Sequence, residues 1–108
     1  MSISQEQIDF ALELFDEIGP LTTRKMMGGL CIYHGGTIFA ILHSDGTIWL
    51  KGQGAFADEL TQAGWPRWSY QRDGGKETFM PYWRLPDDLL DDATAACAWA
   101  NRALAALS

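Results

Sequence analysis

Residues 30–51, LCIYHGGTIFAILHSDGTIWLK, decide the fold of this chain. They contain three short apolar runs of strand length, which are 30–33, 38–42 and 48–51. A Gly-Gly pair separates the first two runs and an Asp-Gly pair separates the last two, and both pairs supply the positive φ angles of tight hairpin turns. The segment therefore predicts a meander of three sequential antiparallel strands.

The middle strand of this meander, TIFAIL at 37–42, is apolar at every position after the threonine. An antiparallel strand with one face in water would alternate apolar and polar residues instead. We therefore expect both faces of the sheet to be covered at its centre. One layer of helices covers only one face, so the other face is left for a partner.

Helical patterns flank the meander. Ser4 and Gln7 form an S-x-x-Q capping box, after which apolar residues follow at helical spacing until Gly-Pro at 19–20 ends the helix. A second, short helix is predicted over 56–63, before Gly64. Both helices have one apolar face, which we expect to pack on the sheet.

An aromatic hairpin and a third helix complete the chain. Residues 68–71 and 77–80 flank an Asp-Gly-Gly turn at 73–75, and Pro81 places its strand at an edge or a bulge because proline cannot donate to a ladder. Pro86 suits the first turn of the last helix, whose positive end would hold four aspartates. They are Asp87, Asp88, Asp91 and Asp92. The predicted fold is α+β in the order α-βββ-α-ββ-α, as one domain over residues 1–108.

Composition restricts the function classes. The 108 residues are 47% hydrophobic and 20% charged, which is typical of a globular domain, and the net charge is −6. The bases are concentrated weakly in the middle of the chain, so we expect no direct tight binding to nucleic acid. There is no signal peptide or membrane-length apolar run, and only Cys31 and Cys97 are present. We therefore expect a cytoplasmic protein with reduced thiols.

Three catalytic or cofactor motifs are suggested by spacing and then rejected. GQGAFA at 52–57 matches a dinucleotide fingerprint, but it follows a strand of an antiparallel meander rather than a parallel β-α-β unit. Cys31, His34 and His43 are better explained as a buried thiol and two hairpin-end histidines than as zinc ligands. Neither cysteine has cations or a helix start beside it that would activate a nucleophile. We expect no catalytic residue, no metal ligand and no cofactor.

The stretch RKMMGGLCIY at 24–33 has two interpretations. As an anion nest, the backbone of Gly28 and Gly29 would hold a phosphate or carboxylate, with Arg24 and Lys25 adding charge. As structure, the glycines would let the entering strand bulge or approach another backbone closely. The structural interpretation is favoured, because no helix start follows the glycines as it does in phosphate loops.

These segments together resemble a known family. RKMMGGLCIY, IFAIL, IWLK, WSY, MPYWRLP and AWANRALAA, in this order, resemble the N-terminal domain of the TfoX/Sxy family over about residues 8–106. The resemblance implies a secretion-chaperone-like two-layer α+β fold and no established catalytic residues. Full-length members are regulators of bacterial DNA-uptake competence that act with a cyclic-AMP receptor protein on promoters. They continue into a second, helical domain, whereas this sequence ends at Ser108, and Cys31 stands where many members have a further glycine.

Two hypotheses for function follow. The preferred one is a non-enzymatic regulatory or protein-interaction module, with the transcription machinery or a second copy of the chain as its partner. The alternative is a small-ligand domain for an anion or nucleotide, or an uncharacterised enzyme, with a pocket beside the glycine pair. The residues predicted to contribute to binding are Arg24, Gly28, Gly29, Lys51, Tyr82 and Trp83.

Overall fold

The computed structural model describes residues 3–26, 28–71 and 74–108. Within these residues the helices are α1 (Gln5–Leu14), α2 (Gly54–Gln62) and α3 (Ala93–Leu107), with short 3-10 helices at Asp16–Ile18 and Asp87–Leu89. The strands are β1 (Thr22–Met26), β2 (Gly29–His34), β3 (Thr37–Leu42), β4 (Ile48–Lys51), β5 (Arg67–Gln71) and β6 (Glu77–Arg84). They form one antiparallel sheet in the order β1-β2-β3-β4-β6-β5, which confirms the predicted α+β class.

The predicted meander is present as β2, β3 and β4, and the sheet also contains a strand that was not predicted. β1 pairs antiparallel with β2, with Arg24 opposite Cys31 and Met26 opposite Gly29. Every residue of β1 is exposed, and four of its five residues, TTRK, are polar. The sequence therefore shows neither the apolar–polar alternation nor the apolar run by which strands are recognised. β1 forms one edge of the sheet and β5 forms the other.

The helices pack on one face of the sheet and build the main core there. Ser4 caps α1 as predicted: its Oγ accepts from the Gln7 backbone N–H at 3.1 Å, and the Gln7 side chain accepts from the Ser4 N–H at 2.9 Å. The same Gln7 side chain donates to the carbonyl of Ser44 at 3.0 Å, which ties α1 to the turn after β3. α1 ends at Leu14, earlier than predicted, and a 3-10 helix leads to Gly19.

A bulge between β2 and β3 explains part of the continuous apolar run in β3. Ile32 is opposite Ala40 and Tyr33 is opposite Ile38, so Phe39 is the extra residue of the pair. Phe39 and Ala40 consequently both enter the helix-side core, where the Phe39 ring meets the Phe15 ring edge-on at 5.3 Å.

The start of the third helix was predicted wrongly. Pro86 has extended backbone angles and precedes the 3-10 helix Asp87–Leu89, and α3 begins only at Ala93. Asp92 is its N-cap, with a carboxylate that accepts from the Ala95 N–H at 3.0 Å. Asp87, Asp88 and Asp91 therefore do not lie in the first turn of α3. The polar N-cap directly before Ala93 outweighed the proline signal.

The sequence predicted that Pro81 lies either on an edge strand or at a bulge. The structure places it at a bulge. Its strand β6 is an interior strand between β4 and β5. The pairing shifts from Arg67 opposite Trp83 to Ser69 opposite Phe79, and Pro81 falls inside this shift. Asp73, the first residue of the predicted hairpin turn, lies outside the described residues.

Candidate functional site

The sheet face opposite the helices carries a second apolar cluster, which we call the open face. Cys31, Ile41 and Tyr82 are its buried members. Partly buried side chains pack around them, and these are Tyr33, Ile38, Trp49, Trp68 and Met80. Among the described residues, no helix contributes to this cluster. The open face is thus covered by its own large side chains rather than by a second layer of secondary structure.

Aromatic rings organise one side of the open face. The Trp68 ring lies 4.6 Å from the His43 ring at 76° and 5.8 Å from the Tyr82 ring. His43 also stacks on Trp49 with the centroids 5.2 Å apart, and Trp49 donates its indole N–H to the Thr47 hydroxyl at 2.8 Å. Trp68 comes from the edge strand β5, so its ring links that edge to the end of β3.

A cavity of about 420 Å³ lies beside this ring network. Its lining is mostly apolar, and the residues that form it are Met26, Gly28, Gly29, Ile41, His43, Ser44, Asp45 and Trp68. Met26 and Gly29 are cross-strand partners, and His43 follows β3 directly. Gly28 and Gly29 contribute only backbone to this lining.

Gly28 and Gly29 are required by the shape of the backbone. Gly28 has a φ of 82°, which glycine adopts without steric cost, in the turn from β1 to β2. At Gly29 an added Cβ would lie 2.9 Å from the carbonyl oxygen of Leu42. The two strands therefore approach closely at this position, and both glycines have a structural reason independent of any ligand.

Two titratable groups border the cavity. Asp45 accepts from the Thr47 hydroxyl at 2.6 Å and from the Thr47 backbone N–H at 3.0 Å, and these two bonds lower the pKa of the carboxyl group. Burial lowers the pKa of His43 below its ordinary value, against a smaller opposing effect of Asp45. At neutral pH the cavity is thus bordered by an ionised carboxylate and a neutral imidazole.

The buried polar groups of the open face are not activated for chemistry. Burial raises the pKa of the Cys31 thiol, with smaller opposing effects of Tyr33 and Arg24, and its Sγ lies 2.8 Å from the Met26 Sδ. Burial also raises the pKa of Tyr82 to about 12. Both groups are therefore protonated at neutral pH, which is the opposite of what a nucleophile or a general base requires.

The six residues predicted to contribute to binding do not form one site. They are divided among the cavity, the open face with its edge strand β1, and the helix-side core. Gly28 and Gly29 border the cavity. Lys51 is the cross-strand partner of Tyr82 on the open face, and Arg24 lies on β1 opposite Cys31. The structure does not bring Arg24 and Lys51 together at the cavity.

Trp83 lies on the other face of the sheet. Its side chain is 2% exposed within the helix-side core, and its indole N–H donates to the Thr61 hydroxyl at 3.2 Å. Adjacent strand residues point to opposite faces, so Tyr82 and Trp83 belong to different clusters.

Several residues of the cavity were not recognised from the sequence as a site. Ser44 and Asp45 were interpreted as turn residues, and His43 as a hairpin-end histidine. Trp68 lies 25 positions after His43 in the sequence, so only the folded sheet brings the two rings together. The one local signal was the position of a histidine and an aspartate on either side of Ser44, directly after an apolar strand.

Comparison with known proteins confirms the family resemblance seen in the sequence. A family model described as the TfoX N-terminal domain matches residues 13–107, nearly the whole chain. Among curated proteins, none matches the chain closely enough to show a relationship. In the described part of the chain, no helix combines the length and the apolar composition that crossing a membrane requires.

Proposed function

The chain belongs to the TfoX N-terminal domain family, and we propose that it is a non-enzymatic regulatory module that binds a protein partner through the open face. The observation that carries this proposal is an apolar sheet face without a covering helix among the described residues. The resemblance to competence regulators favours the transcription machinery as the source of the partner. Two free, buried cysteines are consistent with a reducing cytoplasm as the place where the partners meet.

The composition of the open face supports protein binding. Two tryptophans, two tyrosines and a methionine lie in or around its cluster, and they are Trp49, Trp68, Tyr33, Tyr82 and Met80. Aromatic residues and methionine are enriched in the cores of protein interfaces, and tryptophan and tyrosine contribute a large share of binding hot spots. The rings already pack against one another, so little side-chain entropy is lost when a partner covers them.

The adjacent edge strand β1 suggests how the partner binds. All five residues of β1 are exposed, and β2 is its one neighbour in the sheet order. An exposed edge can accept an extended segment as an additional strand, with main-chain hydrogen bonds supplying affinity. Arg24 and Lys25 give this edge a positive charge on a chain whose net charge is −6. We therefore propose an extended acidic segment as the part of the partner that pairs with β1.

A second copy of the chain fits this edge less well. Antiparallel pairing of two β1 strands about their centre would place Arg24 opposite the Arg24 of the other copy. Like charges directly opposite each other destabilise a strand pair. Two cations are also too few for tight binding to a nucleic-acid backbone, where affinity depends on many phosphate contacts. An acidic protein segment therefore fits β1 better than a second copy of the chain or a nucleic acid does.

Photo-crosslinking in the native host tests the proposed surface. Tyr70 pairs with Thr78 beside the open face and is 39% exposed, whereas Phe10 lies on α1 and is 45% exposed. Each is replaced in turn by p-benzoylphenylalanine, so that the two probes have similar size and exposure. We expect a discrete crosslinked protein from position 70 and not from position 10. Crosslinks from position 10 alone, or from neither position, would contradict the proposal.

A charge reversal shows whether β1 takes part in that crosslink. Lys25→Glu should strongly reduce the yield from position 70, because the acidic segment would face a new carboxylate. The matched control is Lys76→Glu in the exposed loop before β6. It changes the net charge equally and should leave the yield unchanged. Equal losses in both variants would show that only overall charge matters and would remove β1 from the interface. Mass spectrometry of the crosslinked protein then shows whether its contact segment is acidic.

A further inference from the structure

We propose that the cavity beside Gly28 and Gly29 binds a small organic ammonium ion with an aromatic or other flat apolar body. This ligand class goes beyond the protein-binding function proposed above and does not depend on it. The sequence suggested an anion or a nucleotide as the small ligand, whereas the ligand proposed here is a cation. The proposal rests on the walls of the cavity, on its one ionised side chain and on the hydrogen-bonding groups that remain available there.

The walls favour an apolar ligand body. Met26, Ile41 and Trp68 supply apolar surface, and Gly29 contributes only backbone. The volume of about 420 Å³ is in the range of small-molecule pockets. The Trp68 ring packs edge-on against His43 and at a tilt of 54° against Tyr82, so this wall exists before a ligand arrives. A preformed wall lowers the ordering cost of binding.

The charge of the lining favours a cation. Asp45 is the one ionised side chain among the residues that line the cavity, because His43 is neutral at pH 7. The two hydrogen bonds from Thr47 both go to Oδ1 of Asp45. Among the described residues, Oδ2 accepts no hydrogen bond, so it is available to an ammonium N–H. Arg84 also acts on Asp45, but it does not line the cavity and pairs with Asp87 at 3.2 Å.

Two further groups would complete the recognition of an ammonium. The His43 ring makes no hydrogen bond among the described residues, so one ring nitrogen is available as an acceptor. The face of a tryptophan attracts a cation within about 6 Å of the ring centroid. An anion would meet the carboxylate of Asp45, and none of the described lysines or arginines lines the cavity to offset it; Arg24 and Lys51 lie elsewhere.

Titration with three phenyl compounds, followed by two-dimensional ¹⁵N–¹H NMR, tests the ligand class. Phenethylammonium, 2-phenylethanol and phenylacetate share the same ring and differ in the charge of the terminal group. We expect saturable shifts of the Gly28, Gly29 and Asp45 amides and of the Trp68 indole with phenethylammonium. Its affinity should exceed that of 2-phenylethanol by about tenfold, as expected for one charge-assisted hydrogen bond, and phenylacetate should bind weakest.

A conservative variant separates the carboxylate from the rest of the cavity. Asp45→Asn keeps an oxygen that can accept from Thr47, so the turn is retained, and the NMR spectrum verifies the fold. It should abolish the preference for phenethylammonium over 2-phenylethanol. Asp58→Asn on the exposed side of α2 is the matched control and should leave the preference unchanged. Equal affinities of the three compounds in the unmodified protein, shifts located elsewhere, or no binding at millimolar concentration would overturn the proposal. None of these results would alter the crosslinking outcome.

Discussion

Replacing Trp83 by alanine is expected to lower the free energy of unfolding by about 3–5 kcal/mol, the usual cost of truncating a buried tryptophan. The Trp83 side chain is 2% exposed and packs in the helix-side core. An added Cβ at Gly52 would lie 2.8 Å from its Cζ3 atom, so the ring and the backbone already touch. The Arg67 guanidinium covers the ring at 4.6 Å from its centroid. Alanine would lose all of these contacts and leave a cavity.

Denaturant unfolding followed by far-UV circular dichroism measures this loss without depending on tryptophan fluorescence. Trp68→Ala is the matched control, because it removes the same side chain from the open face and from an edge strand. Trp68 is only partly buried, so its loss should cost clearly less. If Trp83→Ala costs no more than Trp68→Ala, the assignment of stability to the helix-side face is wrong.

Gly29→Ala is expected to cost about 1–3 kcal/mol, the usual range for forcing an extra methyl group into a packed site. The new Cβ would lie 2.9 Å from the carbonyl oxygen of Leu42, a backbone atom that cannot move away as a flexible side chain can. The β2–β3 pair would have to separate locally. Thermal or denaturant unfolding measures the loss, and amide shifts should change most around Leu42.

Gly36→Ala is the control for the backbone effect of a glycine substitution. Gly36 has a φ of 80° and no atom within 4 Å of an added Cβ, so alanine there reports conformational strain without a steric clash. It should leave the amide shifts around Leu42 unchanged. A Gly29→Ala protein with unaltered stability and unaltered β2–β3 shifts would show that the close approach of the two strands is not a constraint.

The parts of the fold that depend on local chemistry were predictable from the sequence. Gly-Gly and Asp-Gly between apolar runs define the hairpins of the meander, and Ser4 with Gln7 defines the start of α1. The apolar run of β3 correctly indicated side chains packed on both faces. In each case the signal and the structure it specifies lie within a few residues of each other.

The remaining parts depend on tertiary context. β1 is polar and exposed on both faces, so it carries no hydrophobic period and is recognised only by its pairing with β2. α3 begins at Ala93 because Asp92 caps it, although Pro86 offered an earlier start. The cavity needs Trp68 to lie beside His43, and no local rule relates two residues that are 25 positions apart.

The two faces of the sheet have different roles in this structure. The helix side buries the larger cluster, including Trp83 and Phe39, and accounts for most of the stability. The open face holds a smaller cluster, the cavity and the basic edge strand β1, on a sheet whose other face packs against the helices. Arg24 connects the edge to the open face, since it lies opposite Cys31 and influences the pKa of that thiol.

Amide hydrogen exchange of β1 tests the binding role of this face most directly. Alternate N–H groups of an edge strand point away from its one neighbour, so those of β1 should exchange fast in the free protein. In the complex with the partner captured from position 70, we expect these amides to become strongly protected while the exposed surface of α1 is unchanged. Protection confined to α1 and α3, with β1 still exchanging fast, would contradict the assignment of the open face and its edge as the binding surface.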